Sequence, residues 1–503
     1  MFLNLISFFG LFVMIGLAWL MSSHRTKVNW RLVIYGVFLQ MLFAGIFFNS
    51  QSWKFPRSFD SFDALMTSVE NEKSKPANVP LTFREGDQTP ESFAVGYKKF
   101  QAGDIDQAQL KTQFWDNRGA SEKTVEVPRF SDGVVFYAVE SFFELIKLSV
   151  SKGAEFVFNV NAFPAEGDGP TKTALMSTFA FGVLPTVIFF AALMSILYYL
   201  GFMQKVIRVM AWVMQKTLRT SPSESLAAAA NVLVGHTEAP LVVKPYIATM
   251  TRSELNALMV GGFATISGSL MAVFAGIGIS AGHLLTASII SAPAALVLAK
   301  IMQPETEKVM DLSMVESRIQ YRATNVIEAA ADGASEGMKL AINIAAMLIA
   351  FLALIAFLDT ILQWIGSYAG VKLSISIIFG YLFYPLAWVM GITSDDCLIA
   401  GNLLGEKIVV NEFLAYFTMS GIPVQEASAN ADAITPRTRV IMTYALCGFS
   451  NFGAIGIQLG GIGPLAPERK SDLAQLGLRA MLGGMLAACM TACIAGVYFG
   501  WLG

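Results

Sequence analysis

The chain has 503 residues, 54% of them hydrophobic and 14% charged, against about 25% charged in an ordinary soluble domain. Its formal net charge of −2 gives no basic excess that would argue for nucleic acid. This composition excludes an ordinary soluble domain and describes a polytopic membrane protein with one polar insertion.

Residues 2–21 are an uncharged run about long enough to cross a hydrocarbon core. No basic residue precedes it, while Arg25, Lys27 and Arg31 follow, the reverse of a cleavable signal peptide. The run is expected to stay as a helix with its N-terminus outside, and 32–48 to return the chain outward. Residues 50–135 are polar and read as an extracytoplasmic insertion, with amphipathic helical pieces at 90–97 and 102–115 and no legible binding site. The stripe in 136–160 carries too many charges to span, so an interfacial helix is expected there. Residues 174–200 form a third span, followed by Lys205, Arg208, Lys216 and Arg219.

The segment 222–250 is interrupted. Its apolar arms, 227–234 and 241–250, are too short to cross singly, and Gly235-His236-Thr237-Glu238-Ala239-Pro240 lies between them. A re-entrant hairpin accounts for both arms and the polar tip, because irregular backbone at membrane depth needs protein or a water cavity around it. Residues 255–277 and 284–302 are further spans. The charged stretch 303–339 contains an amphipathic run, 325–338.

The second half repeats the pattern. Residues 340–357 span; 377–390, a tip at 391–396 and 398–419 form a second arm–tip–arm unit; 439–459 and 476–502 close the chain. The connections at 22–31, 205–219, 303–322 and 466–479 are rich in Lys and Arg and are expected to face the cytoplasm, with Arg437 and Arg439 against the rule. The fold class is therefore all-α: eight transmembrane helices and two re-entrant hairpins in an inverted repeat, with interfacial helices, in the cell inner membrane. Both termini are placed outside. The expected domains are 1–49 (two spans), 50–135 (insertion), 136–221 (interfacial helices and a scaffold span), and transport repeats at 222–339 and 340–503. Cys397, Cys447, Cys489 and Cys493 lie in apolar surroundings and read as packing residues.

Glu238 and Glu412 stand out in these apolar segments. A carboxylate at membrane depth costs about 2.5–3.5 kcal/mol even on lenient scales. Two interrupted segments at corresponding places in two halves point to a solute site. The bland alternatives are that Glu238 caps the second arm and that Glu412 pairs with Lys407. No His-Glu-x-x-His, Gly-x-Ser-x-Gly or phosphate-loop pattern occurs, so no catalytic residue or enzyme cofactor is expected.

Gly405-x-Lys407-x-x-x-Asn411-Glu412-Phe413-Leu414-Ala415-Tyr416 resembles the signature of the concentrative nucleoside transporter family. The runs at 235–240, 261–269 and 448–453 resemble its other core motifs. The similarity covers about residues 130–503, with a weaker match for 1–50. It implies a homotrimer in which an elevator-like domain moves against a scaffold, importing nucleosides with sodium or, as the alternative, protons. In the family pattern His236, Thr237 and Glu238 contact the base, with His236 standing where glutamine is usual. Leu270 lies against the base, and Glu412, Phe449 and Asn451 hold the ribose side. A family serine falls on Ala454, and Ser450 and Thr443 are the hydroxyls available to replace it. The sodium ligands fall on Asn231, the Val234 backbone, Thr265 and the Ile266 backbone. The departures at His236 and Ala454 leave open a modified nucleoside, a free base or another polyhydroxylated solute.

Overall fold

A computed structural model describes residues 2–48, 56–58, 124–126, scattered positions of 139–150, and 184–236, 238–307, 323–371, 373–420 and 434–499. It divides into two units: 1–45 with 136–499, and 46–135 with 500–503. In the second unit the described residues are the end of one helix and an antiparallel pair, β1 (Pro56–Ser58) with β2 (Thr124–Glu126), in which Arg57 faces Val125. This pair is the one departure from an all-α chain among the described residues. The amphipathic pieces expected at 90–97 and 102–115 lie outside them.

The first unit is helical. Helices α1 (Phe2–Leu20) and α2 (Trp30–Phe48) match the first two expected spans. Described positions at 139–150 are helical, with Phe143, Ile146 and Val150 buried and Phe142 and Leu145 exposed. That is the one-sided stripe expected of the interfacial segment, and Phe143 stacks on Phe190 at 5.7 Å. Phe190 belongs to α3 (Leu184–Tyr199), which covers the described part of the third span. The 205–219 connection is itself mostly helical. α4 (Phe202–Leu218) bends 76° from α3 and buries Met203, Ile207, Met214 and Leu218 beneath a basic face.

Next the chain doubles back. α5 (Pro222–Leu233) begins with Pro222 at its first position and a reciprocal capping box between Ser221 and Glu224. It stops at Val234-Gly235, and the return is two short helices, α6 (Ala239–Val242) and α7 (Lys244–Ile247), divided at Val243 just before Pro245. The ends of this segment are adjacent: Glu254 accepts from the Ser221 and Ser223 hydroxyls at 2.6 and 2.9 Å. Glu254 closes a second capping box with Thr251 at the start of α8 (Arg252–Ala264). α9 (Gly268–Gly276) continues α8 after a break at 265–267, so the expected span 255–277 is two helices. α10 (Ala281–Met302) follows almost wholly buried.

The amphipathic run 325–338 and the span 340–357, expected as separate pieces, are one helix, α11 (Val326–Ala369). No Gly or Pro lies at 338–342 to end it, and its 44 residues reach about 66 Å at 1.5 Å per residue. It runs through the expected repeat boundary at 339/340. α12 (Ile375–Val389) and α13 (Cys397–Val409) pack against each other across the 391–396 turn.

The arm expected at 398–419 is broken. α13 ends at Val409, and α14 (Glu412–Met419) restarts with Asn411 as its cap. The element matching the first doubling-back segment is thus 397–419, with its break at 410–411, rather than 377–419 with its tip at 391–396. α15 (Pro436–Leu446) and α16 (Phe452–Ile462) form a second broken pair, and α17 (Lys470–Tyr498) closes the fold. Among the described residues four helices are long and apolar enough to cross a membrane. The segments 255–277, 397–419 and 436–462 are divided by breaks into shorter helices.

All four basic connections meet at one end of the helices. Ser23 N–H donates to Met302 O at 3.0 Å, Arg479 to Gln303 at 3.0 Å, and Arg469 to Ala248 O at 3.1 Å. Ser221, two residues beyond the 205–219 connection, bonds Glu254 there. The described parts of the first and last helices meet each other: Asn4 donates to Val497 O and Phe499 O. Arg437 belongs to that second group. Its buried guanidinium donates to Gly391 O, Asn4, Ser7 and Gly496 O at 2.7–3.0 Å. Of the two arginines that go against the charge rule, Arg437 is thus consumed by internal acceptors, and Arg439 donates to Met419 O at 3.3 Å.

Candidate functional site: two broken helices and two breaks

Four interruptions carry the site: 234–238 and 265–267 in the first half, 410–411 and 447–451 in the second. Each leaves main-chain groups without helical partners, and each is followed by a helix N-terminus, which favours negative charge.

Close backbone approach holds them together. Gly235 has φ +94° and lies so near Ser267 that a Cβ would sit 2.7 Å from the serine's own. Gly448 has φ +110°, and its missing Cβ would stand 2.6 Å from Phe263 O and 2.7 Å from the Ala264 carbonyl carbon. Glycine accepts both positive φ and contact of this kind. The first seats the tip on the first break; the second crosses the two broken pairs at their interruptions.

His236 is buried, and both its ring nitrogens lack a hydrogen-bond partner. Its ring meets Phe449 edge-on, centroids 4.2 Å apart, so the first tip touches the second break. Glu412, also buried, opens α14, where a carboxylate suits the N-terminus. Asn451 Nδ2 donates to Glu412 Oε2 at 3.2 Å while its Oδ1 accepts from Ala454 N at 2.8 Å. One amide thus caps α16 and orients the glutamate. Leu270 lies buried in the first turn of α9, and Ala454 in that of α16.

Glu238 behaves differently. It occupies the N-cap position of α6 without a side-chain capping bond, and it is exposed. The capping alternative is not realised, and no direct contact joins Glu238 to Glu412 among the described residues. Thr237 lies outside those residues. The Glu412–Lys407 pairing is not the one formed: Lys407 is fully buried and donates to Ala445 O at 2.8 Å and Cys447 O at 3.2 Å. Of the two replacement hydroxyls, Thr443 donates to Arg439 O at 2.8 Å, whereas Ser450 Oγ is buried and unpartnered.

Two of the expected cation ligands, Asn231 and Thr265, are in contact. Thr265 Oγ1 lies 2.9 Å from Asn231 O and 3.0 Å from Gly261 O, and both atoms of the buried Asn231 amide lack partners. Burying unpaired amide atoms costs free energy, so the Asn231 amide is a polar group with an unmet demand for a partner. Among the described residues no group of three His, Cys, Asp or Glu could hold a metal.

Sequence reasoning missed a buried network beneath the first segment. Lys300 Nζ lies 2.7 Å from Glu224 and 3.2 Å from Glu305, and donates to Ser253 at 3.0 Å. Of the two capping-box glutamates only Glu224 belongs to it.

Three family models match in order: Na+ dependent nucleoside transporter N-terminus over 9–67, a gate described as nucleoside recognition over 180–281, and Na+ dependent nucleoside transporter C-terminus over 283–496. An uncharacterized transporter of Haemophilus influenzae is 44% identical over 394 residues, 76% of this chain and 94% of its own length. Solute carrier family 28 member 3 of Eptatretus stoutii is 36% identical over 505 residues; the match takes in 99% of this chain and 61% of that longer relative. The structure of CNTnw in an inward-facing substrate-bound state superposes with a TM-score of 0.74 at 32% identity, covering 99% of this chain and 98% of that one. A variant of the same protein in an outward-facing state gives a TM-score of 0.76. The chain is a multi-pass membrane transporter and not an enzyme. It belongs to the concentrative nucleoside transporter family.

Proposed function

We propose that this protein is a secondary active importer that carries nucleosides inward with sodium by alternating access. The observation that carries the reading is the joining of His236, Phe449, Asn451 and Glu412 across the two halves, with His236 nitrogens and Ser450 Oγ left for a ligand. A carboxylate accepts from two ribose hydroxyls at once, and such charge-assisted bonds are strong. Asn451 fixes that carboxylate, and Phe449 offers an apolar face. A solute without the hydroxyls would leave buried acceptors unpaired. Thr237, Glu238 and His236 face the base, with Leu270 against it, and Ser450 supplies the hydroxyl lost at Ala454.

Sodium is taken by the Asn231 amide oxygen, the Thr265 hydroxyl and the Val234 and Ile266 carbonyls. These are neutral hard donors, which suit a monovalent cation at a helix break. The family descriptions support sodium over the proton alternative. The protein sits in the cell inner membrane as a homotrimer, with the basic connections in the cytoplasm and both described chain ends outside. In this reading the segments 222–247 and 397–419 are the two re-entrant hairpins. The repeats starting at 222 and 340 move as the transport domain, elevator-like, against a scaffold drawn from 1–49 and 136–221.

Proteoliposomes with an inward sodium gradient should accumulate labelled uridine or adenosine, and the accumulation should collapse when the gradient is dissipated. No accumulation under either a sodium or a proton gradient would overturn the proposal.

A further inference from the structure

The two halves treat the same junction differently. In the first, the last turn of α5 carries Asn231 against the break that follows α8, and its amide is buried and unpartnered. In the second, the last turn of α13 carries Lys407 against the break that follows α15, and its ammonium is bonded to Ala445 O and Cys447 O. Among the described residues the element order around both junctions is alike: helix, break, short return, then a broken pair and a long buried helix, with two short 3-10 turns added before the last helix of the second half. Lys407 lies two residues before the end of α13, and Asn231 two before the end of α5.

We infer that the Lys407 ammonium is a built-in cation, standing in the second half where the transported cation stands in the first. The carbonyls that close α15 carry the negative end of its dipole and have lost their helical donors. A cation there ties the second tip to its break. Because that cation is covalently attached, the junction is made whatever the ionic conditions, and it holds Asn451 and Cys447 in place beside Glu412. The first half lacks the attached charge, so the buried Asn231 amide at its junction gains a partner only when an ion arrives. The halves are related in architecture but divided in duty: one is a fixed latch, the other a conditional one. Lys407 is a positioning residue and touches neither solute nor ion.

The inference rests on the sodium reading of Asn231 and Thr265, and its decisive comparison avoids that reading. Lys407→Arg keeps the charge; Lys407→Met keeps the length and removes it. Purified protein is followed by size-exclusion elution and melting, and proteoliposomes by uptake. Lys407→Arg should elute and melt near wild type and retain uptake within about threefold. Lys407→Met should lose at least tenfold in uptake or fail to elute as a folded species. Equal loss in both, or wild-type behaviour of Lys407→Met, overturns the inference, since shape rather than charge would then decide.

A second arm asks whether the latch can be made conditional. Asn231→Ala should melt without response to sodium. Asn231→Ala combined with Lys407→Asn should regain a melting response to millimolar monovalent cations. If the folded double variant responds no more than Asn231→Ala alone, the inference is overturned. The sodium reading itself fails separately, if wild-type melting ignores sodium.

Discussion

Gly448→Ala probes the crossing of the two broken pairs. The substitution sets a methyl carbon 2.6 Å from Phe263 O and 2.7 Å from the Ala264 carbonyl carbon, at a φ of +110°. Holding an L residue in such a conformation costs about 1–3 kcal/mol. Overpacking against backbone, which cannot swing aside as a side chain can, adds about 1–3 kcal/mol. The sum, about 2–6 kcal/mol, predicts a fall in melting temperature of about 4–12 °C at roughly 2 °C per kcal/mol. Relief comes only by separating the 447–451 break from the end of α8. Phe449 and Asn451 move with it, so nucleoside affinity measured by calorimetry should fall at least tenfold in protein that remains folded. Gly456→Ala is the control: it lies in α16 with nothing within 4 Å of its absent Cβ, and it should leave both quantities unchanged. A Gly448→Ala protein that melts and binds like the control would refute the reasoning.

Glu412→Gln keeps the volume and the Asn451 bond but removes the charge, so about 1–2 kcal/mol of charge-assisted bonding is lost and affinity falls about 5–30-fold with little change in melting. Calorimetry on wild type and variant checks this. Ser450→Ala should weaken uridine binding by about threefold or more, whereas Thr443→Val should leave affinity near wild type, because that hydroxyl is already bonded within its own helix. Lys300→Met strands the buried Glu224 and should destabilise the folded protein by about 3–5 kcal/mol, read as lost melting temperature; an unchanged value would show the cluster to be neutral.

Much of the architecture is legible in the chain because the bilayer forces long apolar runs and makes polar interruptions conspicuous. Gly235 through Pro240 and Asn411-Glu412 are such interruptions, and both fall where the chain breaks. The tip at 391–396 misleads because Gly391 and the two aspartates resemble a polar tip. They form the turn joining α12 to α13, with Asp396 accepting from Thr435 at 2.7 Å. Asn411-Glu412 marks its break by polarity alone, since it follows Val409-Val410 with no glycine or proline. The length of α11 was hidden for the opposite reason: a polar and an apolar stretch can share one helix when nothing between them stops it. Lys407 was read by its charge and its distance along the sequence from Glu412. Its true partners are carbonyls of another helix, which no side-chain pattern displays.

The roots of the first doubling-back segment are fastened to α8 by Glu254 and to α10 by the Glu224–Lys300 ion pair. Peeling that segment away from its base would rupture a desolvated charge pair at every turnover. Travel of 222–302 as one rigid slab would leave the fastening intact, so under the proposed alternating access this anchorage favours wholesale displacement over a flapping gate.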